Sequence, residues 1–194
     1  MNSIRSIAVY CGARTGKNTI FSQTAYTLGR LLAEKNIILV YGGGNVGLMK
    51  QVADGCLDHE GTVIGVIPQK LKALELAHPR VSTMYTTQSM QERKLMMSQL
   101  ADAFIAMPGG FGTMEELFEV LTLTQLNYHD KPVGILNIDG YYDLLEKWVF
   151  NAHQRGFIST NHSTLLTFEP DPEKLLNALT ISQFYDLNDE IDRW

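Results

Sequence analysis

A chain of 194 residues with 45% hydrophobic and 19% charged residues has the size and balance of one globular domain, and lacks the polar, charge-rich composition of a disordered chain. Sixteen Lys and Arg against 21 Asp and Glu leave a formal charge of −5, so no domain-wide positive field exists to hold a nucleic acid polymer, and an anionic ligand needs a locally positive pocket. The two cysteines, Cys11 and Cys56, stand far apart and outside any C-x-x-C, which predicts neither a disulfide framework nor a zinc site and suits a reducing, cytoplasmic compartment.

The N-terminus, Met1-Asn2-Ser3-Ile4-Arg5, lacks the apolar core and cleavage site of a signal peptide, and no 18-residue apolar span predicts a membrane helix. A strand is predicted over Ile4–Tyr10. It runs into Cys11-Gly12-Ala13-Arg14-Thr15-Gly16-Lys17-Asn18, which superficially suggests a Walker A phosphate loop. That motif needs four residues between its glycines and a Ser or Thr after the lysine; three residues separate Gly12 from Gly16, and Asn18 follows Lys17. A tight strand-to-helix turn accounts for the glycines, with a ligand role left open.

Helical spacing predicts a helix over Phe21–Lys35, followed by a strand over Ile37–Tyr41. That strand ends in Gly42-Gly43-Gly44-Asn45-Val46-Gly47, a literal G-x-G-x-x-G. A dinucleotide site also needs an acidic residue about 20 positions on, and Gly65-Val66-Ile67-Pro68-Gln69 offers none. Close backbone packing, or a mononucleotide contact at Gly43, is expected in place of NAD.

Further on come a helix over Leu48–His59, a strand over Thr62–Ile67 and a loop, Pro68–Arg80, that is long enough without a helical pattern to read as a functional lid. The remaining strands are predicted over Val81–Tyr85, Ala103–Met107, Val133–Ile138 and Leu165–Phe168. Helices are predicted over Met90–Leu100, Met114–Asn127, Tyr142–Arg155 and Pro172–Leu179. Several strands are apolar throughout, as strands buried on both faces must be. The alternation predicts a single Rossmann-like, doubly wound α/β domain spanning residues 1–194, its mainly parallel sheet covered by helices on both faces, with ligands bound beyond the carboxyl ends of the strands. Residues 180–194, which include the acidic end Asp186–Trp194, are expected to be loosely attached. The histidines (His59, His78, His129, His153, His162) show no ligand spacing, so no metal site is expected.

Two features meet in the segment Gln91–Glu116. On the helix over Met90–Leu100, about 100° per residue puts Arg93 and Lys94 in the same sector as Met90, Met97, Leu100 and Ala101. Snorkelling accounts for Lys94, but a cation at Arg93 needs a carboxylate or phosphate to offset its desolvation. Beyond the next strand lies Met107-Pro108-Gly109-Gly110-Phe111-Gly112-Thr113-Met114-Glu115-Glu116. Its glycines let the backbone approach a ligand, and amides opening the following helix face any anion there. Thr113-x-x-Glu116 fits a helix capping box equally well. If a phosphate is held here, Glu115 and Glu116 repel it, so at least one has another task, such as activating water or steadying a developing ribosyl cation.

At these residues the chain resembles the LONELY GUY (LOG) family of cytokinin riboside 5′-monophosphate phosphoribohydrolases. The family signature P-G-G-x-G-T-x-x-E is met by Pro108, Gly109, Gly110, Gly112, Thr113 and Glu116, and its arginine-lysine pair by Arg93 and Lys94. Tyr41-Gly42-Gly43-Gly44, Gly47-Leu48-Met49 and Asn137-Ile138-Asp139-Gly140-Tyr141-Tyr142 extend the likeness over most of residues 4–160. The resemblance implies Arg93 and Glu116 as the catalytic pair. It places Lys94, Gly109, Gly110, Phe111, Gly112, Thr113, Met114 and Glu115 against the nucleotide, and Glu75 and Thr122 where the family contacts substrate. It implies hydrolysis of a nucleoside 5′-monophosphate, a cytokinin nucleotide or AMP, to free base and ribose 5-phosphate, without cofactor or metal, in a homodimer with shared active sites.

One departure is Ala13, where relatives carry a small hydroxyl residue after the glycine; a contact from that side chain is lost, and Arg14 stands beside it as a replacement. The rival reading is a non-catalytic nucleotide or cofactor carrier, which shares the fold. Relatives are also labelled lysine decarboxylases, a label that predicts a pyridoxal-phosphate lysine for which no site is identifiable.

Overall fold

Each of the seven runs predicted as strands forms one, with ends shifted by one or two residues, as terminal pairing decides boundaries. The computed structural model describes residues 4–74 and 76–181. Its strands are β1 (Ser6–Tyr10), β2 (Ile38–Tyr41), β3 (Val63–Pro68), β4 (Thr83–Thr87), β5 (Ala103–Ala106), β6 (Val133–Leu136) and β7 (Leu166–Glu169). They form one sheet in the order β4-β3-β2-β1-β5-β6-β7, and every neighbouring pair is parallel.

The period-two alternation of a strand divides the core. Ile7 and Val9 of β1 pack against α1 (Thr19–Glu34), α2 (Gly47–Leu57) and α8 (Pro172–Ile181); Ala8 and Tyr10 face Met97 of α4 (Met90–Leu100) and Leu117 and Val120 of α5 (Phe111–Gln125). All five residues of β1 are buried, which is why its run shows no polar alternation. Among the described residues no helix is long and apolar enough to cross a membrane.

Three local readings change. The segment Pro68–Arg80 contains α3 (Gln69–Lys72), a single turn too short to show helical periodicity. Beyond it, Asn45 N donates to Leu76 O at 2.7 Å, His78 N donates to Gly43 O at 2.9 Å, and Gly44 bridges Ala77, so residues 76–78 are tied to the loop after β2. Secondly, α5 begins at Phe111 with Gly110 as N-cap and no side-chain cap, so Thr113 and Glu116 lie inside the helix and do not form a capping box. The helix begins early because hydrogen bonds to its carbonyls pin the preceding turn from behind. Ser89 and Glu92 do the capping work at α4: Ser89 Oγ accepts from Glu92 N at 3.1 Å, and Glu92 Oε2 accepts from Gln88 N at 2.8 Å. Thirdly, β6 stops at Leu136, because Asp139 and Gly140 take left-handed backbone (φ 53 and 67) in a 3-10 turn, Ile138–Gly140.

α6 (Asp143–Gln154) follows, then α7 (Thr160–Ser163), another single turn without periodicity. The acidic end Asp186–Trp194 lies outside the described residues.

The strand order reverses at β1, whose neighbours are β2 and β5. Chains leaving the carboxyl ends of β1 and β5 diverge there, opening the crevice in which α/β sheets bind ligands. Both strands end in glycine turns at this point, joined by Gly12 N donating to Pro108 O at 3.0 Å.

Candidate active site

The crevice is a cleft of about 580 Å³. One wall is the Cys11–Gly16 loop, the opposite one the Pro108–Gly112 turn with Thr113, Glu115 and Glu116 of α5. Phe21, Leu48, Met49, Leu71 and Met90 supply an apolar side, and Arg93 and Tyr141 complete the lining.

Arg93 enters from α4 and Glu116 from α5, elements on one face of the sheet. Arg93 Nη1 donates to Glu116 Oε1 at 2.9 Å, and Arg93 Nε donates to Val66 O at 3.1 Å. Both residues are buried. The helical-sector expectation of an inward arginine with a partner therefore holds, and the partner is a carboxylate. Room for the guanidinium comes from Gly42, where a Cβ would overlap Arg93 Nη2. The glycine run after β2 thus serves packing: Gly43 is left-handed (φ 73) under Ile67 and Met84, and Gly47 (φ 56) abuts the backbone of Ala13 and Arg14.

Burial pushes the Glu116 carboxyl above the usual carboxylate range; Arg93 opposes that shift and Glu115 adds to it. Lys94 does not simply hold its head in water. Its ammonium donates to Glu115 and, at 3.2 Å, to Glu119, leaving its side chain 11% exposed. The Glu115 carboxylate, next to Glu116, is thereby offset by a cation outside the cleft lining. Arg14, the other cation in the lining, forms no ion pair among the described residues.

The glycine turn is held through its carbonyls. Tyr142 Oη donates to Met107 O at 2.8 Å, Gly12 N to Pro108 O at 3.0 Å, and Tyr141 Oη to Gly109 O at 2.6 Å. The first hydrogen bond of α5 runs from Met114 N to Gly110 O at 3.1 Å, so the amides before Met114 precede the helix ladder. Tethered carbonyls behind and open amides in front make a site for an anion.

Of the residues expected at the site, Arg93, Gly109, Gly110, Gly112, Thr113, Glu115 and Glu116 line the cleft. The others among the described residues do not line it within one chain. Gly43 packs against Ile67 and Met84, Lys94 is paired with Glu115 and Glu119, and Met114 packs against the core. Phe111 is 97% exposed, and Thr122 turns its hydroxyl to Phe118 O at 2.7 Å on the outer face of α5. Glu75 lies outside the described residues. Sequence reasoning named none of Phe21, Leu71, Met90 and Tyr141 as site residues; Leu71 carried a signal through the Pro68–Arg80 loop and Tyr141 through the run Asn137–Tyr142.

Proteins of similar sequence decide the family. The cytokinin riboside 5′-monophosphate phosphoribohydrolase LOG4 of Arabidopsis thaliana is 45% identical over 173 residues, 89% of this chain and 80% of that protein. The enzyme of the same designation named LOG, from Oryza sativa subsp. japonica, is 43% identical over 175 residues, 90% of this chain and 72% of that protein. The chain belongs to the LOG family. A family profile described as "Possible lysine decarboxylase" matches residues 49–179, from α2 into α8. Among solved structures, a molybdenum cofactor binding protein from Rippkaea orientalis superposes with a TM-score of 0.70 at 26% identity, covering 92% of this chain and 96% of that one. A molybdenum cofactor (Moco) carrier protein from Chlamydomonas reinhardtii gives 0.68 at 22% identity, covering 89% and 93%, and so shares the fold. This chain thus shares its fold with cofactor-binding proteins, and fold alone does not assign its activity.

Proposed function

We propose that this LOG-family chain is a phosphoribohydrolase that cleaves the N-glycosidic bond of a nucleoside 5′-monophosphate, a cytokinin nucleotide or AMP, releasing the base and ribose 5-phosphate. The observation that carries the reading is the buried Arg93–Glu116 pair opening into a cleft beside an anion-ready glycine turn. The names of the relatives point the same way.

In this mechanism the 5′-phosphate rests on the amides that open α5, and Arg14 supplies the cation that Arg93 and Lys94, already paired, do not. Glu116 faces C1′. As the C1′–N bond lengthens, positive charge grows on the ribose, and an ionised Glu116 stabilises it or takes a proton from the attacking water. Arg93 keeps that carboxylate ionised and aimed, and Lys94 offsets Glu115 so that it does not repel the phosphate. The base departs along the apolar side formed by Phe21, Leu71 and Met90 with the electron pair of the broken bond, and takes up the proton that the attacking water gives up, so that base and ribose 5-phosphate together carry the elements of one water.

The active form in this proposal is a cytoplasmic homodimer. Its support is an apolar outer surface on α5 and α6, where Phe118 meets Trp148 edge to face and Phe111 and Leu144 stand exposed; pairing that surface would bring Phe111 and Thr122 toward a partner's site. Light scattering should return twice the 21.8 kDa chain mass.

A non-catalytic nucleotide or cofactor carrier is the alternative, in keeping with the cofactor-binding neighbour from Rippkaea orientalis. A carrier gains nothing from a carboxylate whose burial is unfavourable, whereas a glycosidase does. The deciding experiment incubates AMP and isopentenyladenosine monophosphate with the protein and follows base and ribose 5-phosphate by chromatography. Release of both products is expected; intact ligand after prolonged incubation overturns the hydrolase reading.

A further inference from the structure

We infer that Tyr141 is a positioning residue whose hydroxyl aims the Gly110 amide at the ligand's phosphate, and so helps set the preference for phosphorylated over unphosphorylated ligands. The inference deepens the proposed phosphoribohydrolase reading and rests on its placing a phosphate at this turn.

The peptide between Gly109 and Gly110 is the element at issue. A peptide unit is planar and trans, so its carbonyl and its N–H point in opposite directions and turn together. A Gly-Gly peptide has no side chain on either flank to restrict that rotation. At Gly110, moreover, a Cβ would meet nothing within 4 Å, so no neighbour crowds this part of the turn. On the other flank Gly109 packs closely on Thr113, whose Oγ1 a Cβ there would overlap, and the oxygen of the peptide is held by the 2.6 Å hydrogen bond from Tyr141 Oη to Gly109 O. Fixing the oxygen fixes the direction of the Gly110 N–H, one of the amides ahead of the first helical bond, Met114 N to Gly110 O.

The phenol is itself well placed. Its ring meets Tyr142 edge-on at 4.8 Å and Phe21 at 6.1 Å, and the left-handed Gly140 (φ 67) turns the chain immediately before it. The two neighbouring tethers differ in kind. Tyr142 is buried and holds Met107 O within the core, and Gly12 holds Pro108 O through a backbone bond that no side-chain substitution removes. Tyr141 is 47% exposed and lines the cleft, so an otherwise water-accessible hydroxyl is committed to a glycine carbonyl at the ligand site. Without that bond the Gly109 oxygen loses its tether, and the peptide can tilt and turn the Gly110 N–H away from the phosphate.

Tyr141→Phe tests this, because it removes the hydroxyl and leaves the ring against Phe21 and Tyr142. Binding of ribose 5-phosphate and of adenine is measured by calorimetry on wild type and variant, together with the melting temperature and, for AMP, kcat and KM. The expected result is ribose 5-phosphate affinity lowered about tenfold, the order of one hydrogen bond, with adenine affinity and melting temperature unchanged. The AMP defect should appear mainly in KM. Equal ribose 5-phosphate affinity in the two proteins, an equal loss for adenine, or no ribose 5-phosphate binding by wild type overturns the inference. Wild type that binds ribose 5-phosphate in a Tyr141-dependent way yet leaves AMP intact overturns the hydrolase reading and leaves this inference standing.

Discussion

Arg93 and Glu116 meet at 2.9 Å with side chains 10% and 8% exposed, joining α4 and α5 in the lining of the cleft. An ion pair removed from water to this degree leaves its surviving partner uncompensated when one member is deleted. Arg93→Ala is therefore expected to lower stability by about 3–5 kcal/mol, read from denaturant unfolding, and to lower turnover of AMP as well. Glu116→Gln keeps the shape of the side chain, so its loss should fall on chemistry, about 100- to 10,000-fold in kcat. If both variants retain most wild-type turnover, neither residue serves the reaction as proposed.

The pH dependence follows from the same pair. Glu116 must be ionised in the proposed mechanism, and burial raises its carboxyl above the ordinary 4.5 while Arg93 opposes the shift. The acid limb of kcat/KM is expected above the ordinary carboxylate range, and in Arg93→Gln it should move to still higher pH. Because the folded chain holds this proton more tightly than the unfolded one, Glu116 contributes less stability as pH rises from about 4.5 through its folded value. Carbon NMR of the Glu116 carboxyl in both proteins reads the two midpoints directly; a lower midpoint in the variant contradicts the assignment.

Gly42→Ala tests the packing that seats Arg93. The new methyl group would overlap the guanidinium and crowd Met49 Sδ, so the arginine must move from Glu116. Overpacking of this kind costs about 1–3 kcal/mol. Turnover should fall as well, because the displaced arginine no longer aims Glu116; a loss of about 1.36 kcal/mol of transition-state stabilisation would appear as a tenfold fall in kcat. A fully active Gly42→Ala enzyme shows that the seat of Arg93 is not decisive.

Acid sensitivity should centre on His78. It is buried between Asp54 and Arg80: Nε2 lies 3.2 Å from Asp54 Oδ1, and Nδ1 accepts from Arg80 N at 3.2 Å. Burial lowers its pKa below 6.5, with Asp54 opposing and Arg80 and Lys50 contributing. For a histidine held neutral in the fold, the unfolded chain takes up the proton first, so stability falls as pH drops below about 6.5. Asp54 adds its own loss further down: burial acts against its charge, but hydrogen bonds from Lys50, Arg80 and His78 prevail and hold it below 3.8. Melting curves between pH 7 and 5 should show a shallower decline for His78→Gln than for wild type, and equal slopes refute the assignment. His129, also shifted downward by burial, supplies the residual slope.

Much of the architecture was legible before folding because periodicity survives projection onto a line. Apolar runs such as Ala103–Met107 read as buried strands, and the angular sector of Arg93 on its helix announced an inward cation. Single turns such as Gln69–Lys72 and Thr160–Ser163 were missed, since four residues hold barely one period. Thr113 and Glu116 deceived differently: local spacing fitted a cap, and only the pinned turn ahead of α5 shows that both residues lie inside the helix.

The sequence by itself determined the alternation of strands and helices, the family signature and the need of Arg93 for a partner, all of them properties of neighbours along the chain. Tertiary structure alone decided that the partner is Glu116, that Gly42 makes room for the guanidinium, and that Tyr141 and Gly12 hold adjacent carbonyls of one turn. Those contacts join residues far apart in sequence, and which of them meet depends on the strand order at the switch point, a choice that no local pattern encodes.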